Sequence, residues 1–90
     1  MPKFVIERNL PGAGKLTDQQ VQEVSKKSCN VIAGLKGAVQ WQHSYVTDDK
    51  LYCVYIAKDE AAVREHARQG GFPANSVARV RRVIDPISAE

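Results

Sequence analysis

Trp41, His43 and Tyr45 alternate along one stretch of chain. In a β-strand all three side chains share a face, which sets an imidazole between two aromatic rings. Such a trio suits the floor of a pocket for a small organic molecule. Histidine titrates near neutrality and could act there as a base, with Tyr45 or Tyr55 orienting a substrate. What faces the trio depends on the turn that follows. With Asp48 and Asp49 as a two-residue turn, Thr47 pairs with Lys50, and the stripe joins Tyr52, Val54 and Ile56 in a mostly apolar face that reads as core. A three-residue loop sets the stripe beside Cys53 and Tyr55 instead, gathering imidazole, thiol and phenol, a set suited to a soft divalent metal. Both registers stay open on pattern alone.

The second histidine, His66, sits in Glu65-His66-Ala67-Arg68-Gln69-Gly70-Gly71. Near the C-terminal end of a helix, a partly charged imidazole gains from the exposed carbonyls. No histidine or cysteine lies one helical turn away to make a two-ligand site, so a metal role for His66 needs ligands from elsewhere in the fold or from a second subunit. Cys29 and Cys53 are 24 residues apart, matching neither a paired zinc motif nor a disulfide framework, and both are expected as reduced thiols.

Pro11-Gly12-Ala13-Gly14-Lys15-Leu16-Thr17 follows a strand and opens a helix, the right context for a phosphate loop. The spelling differs: Asn9 and Leu16 stand where a P-loop needs Gly and Ser or Thr, which leaves a Gly-rich connection. Arg79, Arg81 and Arg82 form a basic cluster. The aromatic pattern with which RNA recognition modules stack bases is missing from Leu51-Tyr52-Cys53-Val54-Tyr55-Ile56, so nucleic acid is not the expected partner. No Ser-His-acid spelling, no His-Glu-x-x-His and no spaced carboxylate pair occurs.

The elements that position these groups follow from periodicity. Lys3 to Arg8 is a β-branched and aromatic run closed by Asn9-Leu10-Pro11-Gly12, a first strand and its turn. Thr17 is placed to cap a helix in which Val21, Val24, Ser28, Val31, Ile32 and Leu35 share a face, with Gly34 and Gly37 supplying the stop. Val39 to Thr47 and Leu51 to Ala57 make a hairpin around Asp48-Asp49-Lys50. Asp59 caps a short helix from Glu60 to Gln69 that Gly70-Gly71 ends. Val77 to Asp85 alternates as a half-buried strand carrying Ala78, Val80 and Ile84 inward. The order β-α-β-β-α-β predicts an α+β, ferredoxin-like fold in which a four-stranded antiparallel sheet carries two helices on one face.

Composition bounds the rest. Ninety residues make a single domain, 1–90, with 43% hydrophobic and 26% charged residues, as in ordinary globular proteins. A net charge of +3 does not call for nucleic acid or a membrane surface. The apolar runs, of which Leu51 to Ala57 is the longest, are far too short to span a bilayer. The opening segment lacks the apolar region of a secretion signal, which makes the cytoplasm the default location. Trp, Tyr and Val side chains on the helix-free sheet face need a cover, and a twofold homodimer is the commonest one.

The block His43-Ser44-Tyr45-Val46-Thr47-Asp48-Asp49-Lys50-Leu51-Tyr52-Cys53-Val54-Tyr55-Ile56-Ala57 closely resembles a small nickel-binding family long known as a domain of unknown function. Arg64-Glu65-His66-Ala67, Gly71-Phe72-Pro73 and the opening Met1 to Arg8 followed by Pro11-Gly12 are similar too, so the resemblance covers nearly the whole chain. It implies a ferredoxin-like subunit, a homodimer, Ni²⁺ binding and no established enzymatic activity. Imidazole, thiolate and carboxylate are reasonable ligands for that metal, which leaves His43, Cys53, His66 and the turn carboxylates Asp48 and Asp49 as candidates. The expected function is that of a small cytoplasmic dimer that binds or sequesters nickel. The alternative is a small-molecule or cofactor-free catalytic pocket lined by Trp41, His43, Tyr45 and Tyr55.

Overall fold

A computed structural model describes residues 1–90. Lys3–Asn9 forms β1, Asp18–Gly34 α1, Val39–Val46 β2, Lys50–Ala57 β3, Glu60–Gly70 α2 and Ser76–Arg79 β4. The strands make one antiparallel sheet in the order β2-β3-β1-β4, and the helices cover one of its faces, as the order of elements predicts.

Local chemistry explains the helix ends. Thr17 Oγ1 accepts the Gln20 N–H at 3.1 Å while the Thr17 N–H donates to Gln20 Oε1 at 2.9 Å, a reciprocal cap that satisfies two otherwise orphaned donors. Asp59 Oδ1 accepts the Ala62 N–H at 2.8 Å to start α2. Gly71, at φ 68°, ends it in the left-handed region that a side chain disfavours.

Strand parity sets the core. Phe4 and Ile6 pair with Tyr55 and Cys53, and Val39 pairs with Ala57, so these six share the helix side and are buried there with Val63 of α2. Val5, Glu7, Tyr52, Val54 and Ile56 take the opposite parity and occupy the open face.

Two expectations need correction. The α1 face is only partly used: Ser28 is buried and Val31, Ile32 and Leu35 are half-buried, but Val21 and Val24 are each 41% exposed, because the first turns of α1 stand away from the sheet. The last strand is shorter than Val77 to Asp85. Its register sets Arg79 opposite Phe4, and the Val80 N–H bonds to the Lys3 carbonyl at 2.8 Å. Beyond that pair β1 has run out: the Pro2 carbonyl is turned to β3, accepting the Ala57 N–H at 3.0 Å, and Arg81 and Arg82 have no strand to pair with. Val83, Ile84 and Ile87 are consequently exposed.

Gly70 is buried because the Phe72 ring folds back over it; a methyl group there would fall 2.2 Å from Phe72 Cε2. Gly70→Ala is expected to displace that ring. The strain outweighs the gain in helix propensity, for a net loss of about 1–2 kcal/mol in urea unfolding.

Candidate functional site

The hairpin closes with Thr47 N–H bonded to the Lys50 carbonyl at 2.9 Å, so Asp48 and Asp49 form the two-residue turn. His43 then faces Val54, and Tyr45 faces Tyr52. Trp41 does not follow them. A bulge at Gln42 inserts one residue between Trp41 and His43, setting Trp41 opposite Tyr55 and on the helix side. Its indole N–H is satisfied by Ser44 Oγ at 2.9 Å, across the bulge on the same side. The predicted pocket is thereby divided. Trp41 and Tyr55 lie under the helices, while His43 and Tyr45 lie on the open face with their rings 5.1 Å apart, edge to face. The open face is not core in this chain: His43 is exposed and Tyr45 is 60% exposed.

The metal candidates are likewise dispersed. Cys53 is buried on the helix side, His43 is on the other face, and Asp48 and Asp49 sit at the hairpin tip. One oxygen of Asp49 is already engaged, accepting the Gly12 N–H at 2.9 Å. That contact, with the Gly14 N–H on the Asp48 carbonyl at 3.0 Å, also turns the Gly-rich loop's donors inward onto the hairpin. No three His, Cys, Asp or Glu side chains converge in the chain.

His66 differs most from expectation. It is fully buried, its Nε2 shares a hydrogen bond with Ser28 Oγ at 3.0 Å, and its Nδ1 has no partner. The Tyr55 and Phe72 rings flank it at 5.2 and 5.4 Å. Burial first, and then the nearby Arg8 guanidinium, push its pKa down to about 4. It is a neutral core imidazole, not a charged group beside helix carbonyls.

Where α1 lifts from the sheet, a cleft of about 580 Å³ opens. Leu16, Val21 and Val24 form its upper wall, and Trp41, Val46 and Leu51 its floor. At its inner end stand Arg8, Tyr55 and Ser28. Arg8 is buried, donating to the Pro73 carbonyl and, at 3.2 Å, to the Tyr55 hydroxyl. Burial first, then the Cys53 thiol, raise the Tyr55 phenol above its usual range, against the pull of Arg8. Sequence reasoning missed Arg8, although the signal was present: it has the same parity as Phe4 and Ile6 in β1, which puts a guanidinium in line with the core.

A family model described as nickel responsive protein SCO4226-like matches residues 4–80. The crystal structure of SCO4226 from Streptomyces coelicolor A3(2) aligns with a TM-score of 0.76, covering 91% of this chain and 99% of that one at 15% identity, a likeness of fold. No curated protein sequence matches.

Folded His66 stays neutral until about pH 4, whereas unfolded it takes a proton near 6.5. Its contribution to stability is therefore complete above pH 6.5 and is lost as pH falls toward 4, by at most about 3 kcal/mol. Urea unfolding at steps from pH 7.5 to 4.5 is expected to show that decline in the parent chain, with a shallower slope in His66→Gln.

Proposed function

The chain belongs to the SCO4226-like family of nickel responsive proteins, and on that premise we propose a small cytoplasmic homodimer that binds Ni²⁺ between two copies. The observation that carries this reading is His43, an exposed imidazole on the helix-free face of a chain in which no three ligating side chains meet. One imidazole makes a weak site, and a second copy across a twofold axis supplies another of the same kind. Imidazole suits nickel, so His43 is the residue that would hold it.

The surroundings favour a paired arrangement. Val5, Tyr52, Val54 and Ile56 are half-buried on that face, and Tyr45 extends the apolar area to the β2 edge. An apolar surface of this kind is covered more often than left in water. Glu7 lies on the same face, but Lys50 holds its carboxylate at 2.9 Å and lowers its pKa, so it serves an ion pair first. Cys29 is exposed and Cys53 buried, both as free thiols, in keeping with a reducing compartment. The buried His66 belongs to the core in this reading and supplies no ligand.

Native mass spectrometry of tag-free protein, titrated with Ni²⁺, Zn²⁺ and Co²⁺, tests the proposal. The expected result is a dimer with integral, Ni²⁺-selective occupancy that disappears in His43→Ala while the dimer and its melting temperature persist, and that survives in His66→Gln. A monomer at micromolar concentration, or unchanged Ni²⁺ stoichiometry in His43→Ala, would overturn it.

A further inference from the structure

The cleft beneath α1 contains a charge that the fold does not balance. Arg8 is only 4% exposed, yet the ion pairs of the chain are Lys50–Glu7, Arg64–Glu60 and Arg68–Glu65, and none involves it. A guanidinium carries five N–H donors and keeps its proton in any protein environment. Two acceptors, the Pro73 carbonyl and the Tyr55 hydroxyl, meet two of those donors. Phe72 and Tyr55 lie 5.6 and 5.9 Å from the guanidinium carbon, where their rings offset part of the desolvation but accept no conventional hydrogen bond. A buried cation without a counter-ion is strongly unfavourable, and an anion that reaches it is bound by charge-assisted hydrogen bonds in a low-dielectric setting.

We propose that this cleft binds an amphiphilic monocarboxylate, an aliphatic or arylalkyl acid, with its carboxylate on Arg8 and the Tyr55 hydroxyl and its apolar body against Val21, Val24 and Trp41. The forked guanidinium matches the two oxygens of a carboxylate. The charge balance selects a single negative charge: the charged side chains that line the cleft are Arg8 and Lys27 against Glu23, a net +1, with the Lys27 ammonium 5.7 Å from the Phe72 ring that also flanks Arg8. The walls exclude small inorganic anions as the preferred occupants, because Leu16, Val21 and Val24 on one side and Trp41 on the other offer apolar area that such an ion leaves wet. A cleft of about 580 Å³ falls in the size range of small-molecule sites. It lies on the side of the sheet opposite His43, so it stands or falls independently of the nickel site.

Trp41, the single tryptophan of the chain, reports on the cleft by fluorescence. Titration with 4-phenylbutyrate and octanoate is expected to give a saturable change, with the corresponding amides binding roughly tenfold more weakly. Tyr55→Phe should weaken the acids several-fold and leave the amides unaffected, Arg8→Met should abolish the preference for acid over amide, and His43→Ala should leave all of it intact. If Arg8→Met does not fold, the acid–amide contrast in the unaltered chain and the Tyr55→Phe variant decide. No saturable binding, equal affinity for acid and amide, or competition by sulfate as strong as by octanoate would overturn the proposal.

Discussion

The guanidinium at the end of β1 is the constraint around which the rest of the chain is arranged. Parity sends Arg8 to the same side as Phe4 and Ile6, where water cannot solvate it fully. The loop after α2 supplies part of what is missing: the Pro73 carbonyl accepts from Arg8, and the Phe72 ring lies 5.6 Å from the guanidinium carbon. That loop is stitched to β1 twice more, by the Asn9 N–H on Asn75 Oδ1 at 2.7 Å and by the Asn75 N–H on the Glu7 carbonyl at 3.0 Å. With Pro73 and Asn75 held in this way, the chain enters β4 at Ser76 in register with Glu7. Phe72 reaches Arg8 because Gly70 leaves room for its ring, so the glycines at the end of α2 serve the packing of the guanidinium as well as the helix stop.

The two histidines show how placement decides chemistry. His43 and His66 have the same side chain and the same intrinsic affinity for protons and metals. On the open face, His43 keeps its solvent and stays available to an external ligand. Under the helices, His66 has given up solvent for Ser28, Tyr55 and Phe72, and the neighbouring positive charge of Arg8 further opposes protonation. A cation approaching His66 would meet both the guanidinium and the packed rings, which makes an organic anion the better match for that side of the sheet. The sheet thus separates a face open to metal ions from a cleft whose net charge repels them.

Much of the fold was legible because local signals agree with one another. The Thr17 and Asp59 caps, the Gly71 stop and the β-α-β-β-α-β order of elements all follow from residue type and spacing, whereas the two-residue turn at Asp48-Asp49 is one of two registers that the pattern leaves open. The site was less legible, for two reasons. A bulge adds one residue to a strand without altering its alternation in sequence, so Trp41, His43 and Tyr45 look coplanar although Gln42 breaks the series. The length of β4 is set by where β1 begins rather than by its own alternation, and Arg81 to Ile84 continue a pattern that has no partner strand. His66 was visible at helical spacing from Val63, on the buried stripe with Ala67 and Gly70, but a polar residue on such a stripe carries no sign of whether it is paired, charged or neutral.

The turn carboxylates acquire a different meaning once the connection before α1 is followed. The Leu10 N–H bonds to the Asp49 carbonyl at 2.9 Å, Gly12 N–H to Asp49 Oδ1, and Gly14 N–H to the Asp48 carbonyl, so the segment between β1 and α1 is folded onto the hairpin tip. Gly14 permits the approach, since a side chain there would crowd the Asp48 backbone at 3.1 Å. Gly12, at φ 79°, turns the chain into it. From this anchor, and with Thr17 closing its cap, α1 starts high above the end of the β2–β3 hairpin and descends to the sheet only by Ser28, which meets His66 of α2. The tilt between those two points is what leaves Val21 and Val24 facing a cleft instead of the core. Asp48 and Asp49, which as isolated residues suggested metal ligands, are the post on which the entrance to the Arg8 cleft is propped.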